Sequence, residues 1–146
     1  MARARVAGDI QIMRDAQITP TTPRSELARV LLFAGDRRFR AVAATLLAQR
    51  GYAVAVGGRD DDIVELARRV RADVVVIDAS RSLTVAARQA ARLDSLRPRV
   101  GVVTVGGESD SGLAALPVLA KWSSFDDLFA AIDRAGSAAR RTGDWA

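Results

Sequence analysis

The sequence predicts an α/β fold, a three-layer α/β/α sandwich in which helices cover both faces of a five-stranded parallel sheet. From residue 28 onward, apolar runs of strand length alternate with amphipathic segments of helix length. Parallel neighbours need crossover helices, and right-handed crossovers place those helices on both faces. The length of 146 residues fits one domain that is large enough to bury a hydrophobic core.

The predicted elements alternate along the chain. Strands are expected at 29–34, 52–56, 73–77, 100–105 and 117–120, and helices at 37–50, 63–70, 83–96 and from 124 onward. Gly51 is expected to stop the first helix, and the aspartates at 60–62 to cap the second. Pro98 follows the third helix, and Ser124 opens the last one.

The two ends of the chain lie outside this pattern. Residues 1–26 mix charged residues with a turn-rich segment around Pro20 and Pro23, which predicts a flexible N-terminal arm. Residues 27–136 are expected to form the folded domain. Residues 137–146 are interpreted as a basic C-terminal tail, in which Arg140 and Arg141 extend the last helix.

Composition excludes several kinds of chemistry. The chain contains no cysteine and no histidine, which removes disulfides, thiol nucleophiles, imidazole bases and the usual zinc sites. Apolar residues make up 49% of the chain and aromatic residues only 5%, so an aliphatic core is expected. No apolar run is long enough to span a bilayer and no signal-peptide core is present, which predicts a cytoplasmic protein without membrane contact.

The net charge of +5 raises the question of nucleic-acid binding. The arginines are spread along the chain in pairs, such as Arg37 with Arg38 and Arg68 with Arg69, a pattern typical of solvated helix faces. No helix-turn-helix, zinc finger or aromatic stacking platform accompanies them. We therefore do not expect nucleic acid to be the main partner.

Three polar side chains stand at the predicted strand ends. Asp78 follows the third strand, Thr104 lies near the end of the fourth, and Lys121, the single lysine among 22 basic residues, follows the fifth. Open α/β sheets place their sites at the carboxyl edge of the strands, so a carboxylate and an ammonium are expected to meet there.

This arrangement resembles the receiver domain of two-component response regulators, over about residues 28–135. The resemblance implies a flavodoxin-like or CheY-like sheet in the order 2-1-3-4-5. It also implies Asp78 as the phosphoacceptor, with Thr104 and Lys121 as the residues that contact the phosphate. A regulatory domain rather than an enzyme is implied.

The sequence departs from the family at the metal-binding positions. Receivers carry an acidic pair directly after the first strand, where this chain has Ala34 and Gly35. Only Asp36, one residue later, is available to hold Mg²⁺ together with Asp78, so we expect no resident cofactor and an atypical, or pseudo-, receiver. Residues 106–116 are short and glycine-rich for a fourth helix, which we expect to be shortened.

These observations predict a signalling domain that works through protein–protein contacts, independently of phosphorylation. The expected surface comprises the shortened fourth helix within 106–116, the fifth strand and the last helix. Its interface candidates are Trp122, Phe125 and Leu128. The first partner expected is a second copy of the chain, which would give a homodimer. Two alternatives stay open. One is conventional phosphorelay on Asp78, and the other is a small-ligand sensor that uses glycines at the carboxyl edge. The interpretation of Asp78 that the residues alone favour is a turn-capping aspartate that pairs structurally with Lys121.

Overall fold

The computed structural model describes residues 28–58, 60–106, 118–122 and 124–143. Its strands are β1 (Arg29–Phe33), β2 (Ala53–Gly57), β3 (Val74–Asp78), β4 (Gly101–Gly106) and β5 (Leu119–Ala120). Its helices are α1 (Arg37–Gln49), α2 (Ile63–Val70), α3 (Leu83–Leu93) and α4 (Phe125–Gly143).

The strands form one parallel sheet in the order β2-β1-β3-β4-β5, which confirms the predicted fold class and strand order. The register aligns the carboxyl ends of the strands at one edge of the sheet. Phe33 pairs with both Gly57 and Ile77, and Asp78 pairs with Val105. Residues that follow these strands therefore meet above this edge.

Two hydrophobic layers enclose the sheet, because successive side chains of a strand point to opposite faces. Val30 and Leu32 pack with α1 and α4 on one face, in a cluster that includes Phe39 and Ile132. Leu31 and Phe33 pack with α2 and α3 on the other face. The core is largely aliphatic, as the composition predicts.

Several element ends differ from the sequence prediction. Helix α3 ends at Leu93 rather than 96, because Asp94 caps it and Arg99 binds the Asp94 carboxylate at 2.8 Å. Helix α4, in contrast, includes Arg140 and Arg141 as predicted and continues to Gly143. Strand β5 has only two residues, of which Leu119 pairs with Val105. The shortened helix predicted within residues 106–116 is a different element from α4, and beyond Gly106 it lies outside the described residues. The N-terminal arm also lies outside them.

Side-chain and backbone caps fix the helix ends near the two edges of the sheet. The Asp36 carboxylate accepts a hydrogen bond from the backbone N–H of Phe39 at 3.1 Å and starts α1. Helix α2 ends at Arg71, whose backbone is left-handed with φ 56° and ψ 50°.

Among the described helices, none is long and apolar enough to cross a membrane.

Candidate functional site

Three charged residues meet at the carboxyl edge of the sheet. The Nζ atom of Lys121 lies 2.9 Å from Oδ2 of Asp36 and 3.0 Å from Oδ2 of Asp78. Asp78 is the last residue of β3, Lys121 directly follows β5, and Asp36 precedes α1. The structure thus brings together three of the residues singled out in the sequence, with the ammonium between the two carboxylates.

Burial divides this cluster into an inner and an outer part. The side chains of Lys121 and Asp78 are 8% and 4% exposed, whereas that of Asp36 is 34% exposed. The ion pair between Lys121 and Asp78 is therefore largely removed from water. Removing either partner would leave an uncompensated buried charge. The outer carboxylate stays in contact with solvent.

Ser80 forms hydrogen bonds with both members of the Lys121–Asp78 ion pair. Oδ1 of Asp78 accepts hydrogen bonds from the Ser80 hydroxyl at 2.6 Å and the Ser80 backbone N–H at 3.0 Å. Lys121 donates to the same hydroxyl oxygen at 3.0 Å. Sequence reasoning missed Ser80, although a serine two residues after a strand-ending aspartate is the signal of this type of turn.

The ion pairs shift the proton affinities of the groups that form them. The hydrogen bond from Lys121 is the main reason that the pKa of Asp36 lies below its ordinary value. Burial alone would lower the pKa of Lys121, but its hydrogen bonds to Asp36 and Asp78 outweigh burial and raise it. Both groups are consequently held in their charged forms near neutral pH.

The residues at this edge do not fit a magnesium site of the receiver type. Ala34 and Gly35 offer no side-chain oxygen, and both available carboxylates already direct Oδ2 at the Lys121 ammonium. Arg40 also donates to the Ala34 carbonyl at 3.0 Å and to the Gly57 carbonyl at 3.5 Å. In the part of the chain that the structure describes, no three acidic, His or Cys side chains gather to hold a metal.

Thr104 is buried in β4 beside this cluster but is not bonded to it. It pairs with Ile77, one position before Asp78, and no hydrogen bond joins its hydroxyl to Asp36, Asp78 or Lys121. Its predicted contact with a phosphate stays a prediction.

The interface candidates differ in their accessibility. Trp122 is 49% exposed, while Phe125 is half-buried and Leu128 is buried in the core. The Trp122 ring packs edge-on against Phe39 with centroids 5.6 Å apart, and the Arg38 guanidinium lies 5.7 Å from the Trp122 ring centre. Leu128 has little surface to offer a partner, so any contact here depends on Trp122 and Phe125.

Comparison with known proteins identifies the fold. No family model and no curated protein sequence matches the chain. Among solved structures, NtrX from Brucella abortus in complex with ATP is similar, with 17% identity and a TM-score of 0.66. The match covers 82% of this chain but only 29% of the NtrX chain.

Two further structures match over most of their length. The receiver domain of a modulated diguanylate cyclase from Desulfovibrio desulfuricans is 21% identical with a TM-score of 0.62, covering 80% of this chain and 98% of that one. A response regulator from Burkholderia pseudomallei, with a phosphorylated aspartic acid and a calcium ion, is 20% identical with a TM-score of 0.55. That match covers 78% of this chain and 72% of the other. The described residues therefore have the fold of receiver domains.

Proposed function

We propose that this chain is a receiver-like regulatory domain that acts by binding another protein and does not depend on phosphorylation of Asp78. The observation that carries the proposal is that Ala34 and Gly35 offer no carboxylate at the edge, which leaves only Asp36 and Asp78, both within 3.0 Å of the Lys121 ammonium. The protein's own cation occupies the space between the two carboxylates, which are the two oxygen-bearing side chains that a divalent cation would need.

Phosphoryl transfer to an aspartate requires positive charge to compensate the incoming phosphoryl oxygens. Asp36, Asp78 and Lys121 together carry one net negative charge, because two carboxylates share one ammonium. With the Arg40 guanidinium on the Ala34 carbonyl, these charges balance, so an approaching phosphate anion meets no surplus of positive charge. The Asp78 oxygens are also occupied by Ser80 and Lys121, which reduces their freedom to attack phosphorus.

The aromatic cluster beside the ion pairs is the surface that we propose for the partner. Phe39 is fully buried, and its ring centre lies 5.4 Å from Lys121 Nζ and 5.6 Å from the Trp122 ring centre. Aromatic residues with exposed area are enriched among the strongest contributors to protein interfaces. A second copy of the chain is the first partner to test, by sedimentation of Trp122→Ser against Val85→Ser, which removes a similarly exposed apolar side chain from α3.

The decisive experiment is intact mass after incubation with acetyl phosphate and MgCl₂, run beside Asp78→Ala and an ordinary receiver as a positive control. We expect no added phosphoryl group on the parent chain under conditions that modify the control. A phosphoryl group on the parent that is absent from Asp78→Ala would overturn phosphorylation independence.

One observation favours conventional phosphorelay as a second candidate. Asp78 ends β3 and lies 3.0 Å from Lys121, which is the pairing that the receiver resemblance implies for a phosphoacceptor and its lysine. In that case an Asp78 carboxylate oxygen attacks the phosphorus of a phosphodonor, and the donor's P–O or P–N bond breaks. The mass measurement separates the two candidates directly.

A further inference from the structure

A second polar region lies at the opposite, amino edge of the sheet. A cavity of about 560 Å³ opens there, within the size range of small-molecule sites. Six of its lining residues are arginines, namely Arg29, Arg68, Arg71, Arg97, Arg99 and Arg140. This region is separate from the carboxyl edge that holds Asp78.

The parallel topology brings these arginines together from distant parts of the chain. Arg29 begins β1, Arg71 directly follows α2, and Arg97 and Arg99 lie in the connection that leads into β4. Arg140 belongs to the last turn of α4. Because the amino ends of parallel strands share one edge, residues that precede different strands surround the same space.

Carboxylates compensate only part of this charge. Arg99 binds Asp94 at 2.8 Å, and Arg68 lies 3.9 Å from Glu65. Asp73 is the one acidic residue in the lining, and its Oδ2 accepts a hydrogen bond from the Arg29 backbone N–H at 2.8 Å. The cavity therefore has a surplus of positive charge.

The remaining four arginines have no carboxylate partner among the described residues. Arg97 donates only to nearby carbonyl oxygens, those of Asp94 and Leu96, and Arg140 contacts the Ser137 hydroxyl at 3.4 Å. No side-chain hydrogen bond or ion pair involves the guanidinium of Arg29 or Arg71 in the described part of the chain. These four guanidinium groups therefore keep charge that no described carboxylate neutralises, which favours anion binding at this cavity.

The backbone at Arg71 adds an independent observation. Arg71 is the one described non-glycine residue with a positive φ, at the helix-terminating position where glycine is preferred. A left-handed backbone costs an L-residue about 1–2 kcal/mol. Strain of this kind concentrates at functional sites, and here it accompanies a guanidinium that lines the cavity.

We propose that this cavity binds a nucleoside polyphosphate. The unpaired guanidinium groups bind the phosphates, because their planar forks match phosphate oxygens in pairs. The base lies against the apolar part of the lining, which includes Leu96, Pro98 and Val100. The residues that carry these charges line one concave space of small-molecule size, which favours a compact ligand over the extended backbone of a nucleic acid.

Calorimetric titration of the full chain with ATP tests this proposal, with AMP, inorganic tripolyphosphate and a random DNA duplex as parallel ligands at physiological salt. We expect saturable binding of one ATP per chain, at least about tenfold weaker binding of AMP, and weaker binding of tripolyphosphate because it lacks the base. The titration contains no partner protein and no phosphodonor, so its failure would leave the proposed regulatory function untouched.

Arg71→Gly is the key variant, because glycine suits the left-handed backbone, so the side chain and its guanidinium are removed without straining the fold. We expect it to bind ATP about tenfold or more weakly, whereas Arg88→Ala, an equal loss of charge on exposed α3 outside the cavity, should bind as the parent does. Equal losses in both variants, or no ATP binding by the parent, would overturn the proposal. If tripolyphosphate bound as tightly as ATP, the base would make no contact and the proposed nucleoside part would be wrong. If only the DNA duplex bound, the ligand would be a nucleic acid and not a nucleotide.

Discussion

The two edges of the sheet treat positive charge in opposite ways. At the carboxyl edge, the single lysine of the chain is 8% exposed and bound between two carboxylates. At the amino edge, six arginines line a cavity whose described lining contains one acidic residue, Asp73. A cation that is already paired stabilises the fold, whereas a cation without a partner is available to a ligand. Position along the strands thus separates a paired charge cluster from a surplus of positive charge.

The largest effect is expected from Lys121→Met, which removes the cation but keeps most of the side-chain volume. Two carboxylates would then face each other, one of them buried, and the free energy of unfolding should fall by about 3 kcal/mol in urea titrations. MgCl₂ should restore part of this loss in Lys121→Met and leave the parent unchanged, because only the variant leaves both carboxylates free for a metal.

The double variant Lys121→Met with Asp78→Asn is the matched control. It leaves no unpaired buried charge and should lose less stability than Lys121→Met alone. If Lys121→Met unfolds at the same urea concentration as the parent, the carboxyl edge does not depend on its ammonium and the contrast between the edges fails.

A smaller effect of opposite sign is expected at the amino edge. Arg71→Gly should raise the free energy of unfolding by about 1 kcal/mol, because glycine adopts the left-handed backbone without steric cost. Arg69→Gly makes the same substitution inside α2 and should lower it by about 1 kcal/mol. Urea midpoints of the two variants would refute the strain at Arg71 if they moved in the same direction.

The smallest expected effect is a pH dependence at the carboxyl edge. The folded pKa of Asp36 lies below its ordinary value of 3.8, chiefly because of the hydrogen bond from Lys121. The contribution of this pair is therefore present above that value and is lost as the pH falls through the lower folded pKa. Asp36→Asn keeps an N-cap side chain and removes only the charge.

The parent should be more stable than Asp36→Asn at pH values above 3.8, and the difference should shrink as the pH falls below 3.8 through the lower folded pKa. Urea midpoints measured across this range provide the check. A difference that stays constant with pH would mean that Asp36 contributes through the cap alone.

Sequence patterns were sufficient for the carboxyl edge because strand ends are visible in the sequence. Asp78 and Lys121 each follow a short apolar run, and parallel pairing brings such residues together. The sequence also indicates Asp36 as a partner of Asp78, one position beyond the expected acidic pair. The contact of Ser80 with both partners depends on a turn whose side-chain geometry the sequence pattern leaves open.

The amino edge was not predicted, for a physical reason. Its arginines extend from Arg29 to Arg140 and belong to different elements, so only the folded sheet order gathers them. In the sequence they appear as dispersed pairs on solvated faces. The left-handed backbone of Arg71 is equally hidden, because glycine is the residue that normally signals such a position.

The packing of Phe39 gives the protein an intrinsic optical probe. The Phe39 ring contacts the Trp122 indole edge-on, and the Lys121 ammonium lies 5.4 Å from the centre of the Phe39 ring. Any rearrangement of the ion pairs therefore changes the surroundings of a half-exposed fluorophore. Since the chain has only two tryptophans, replacing Trp145 with phenylalanine leaves an emission signal that reports the state of the carboxyl edge alone.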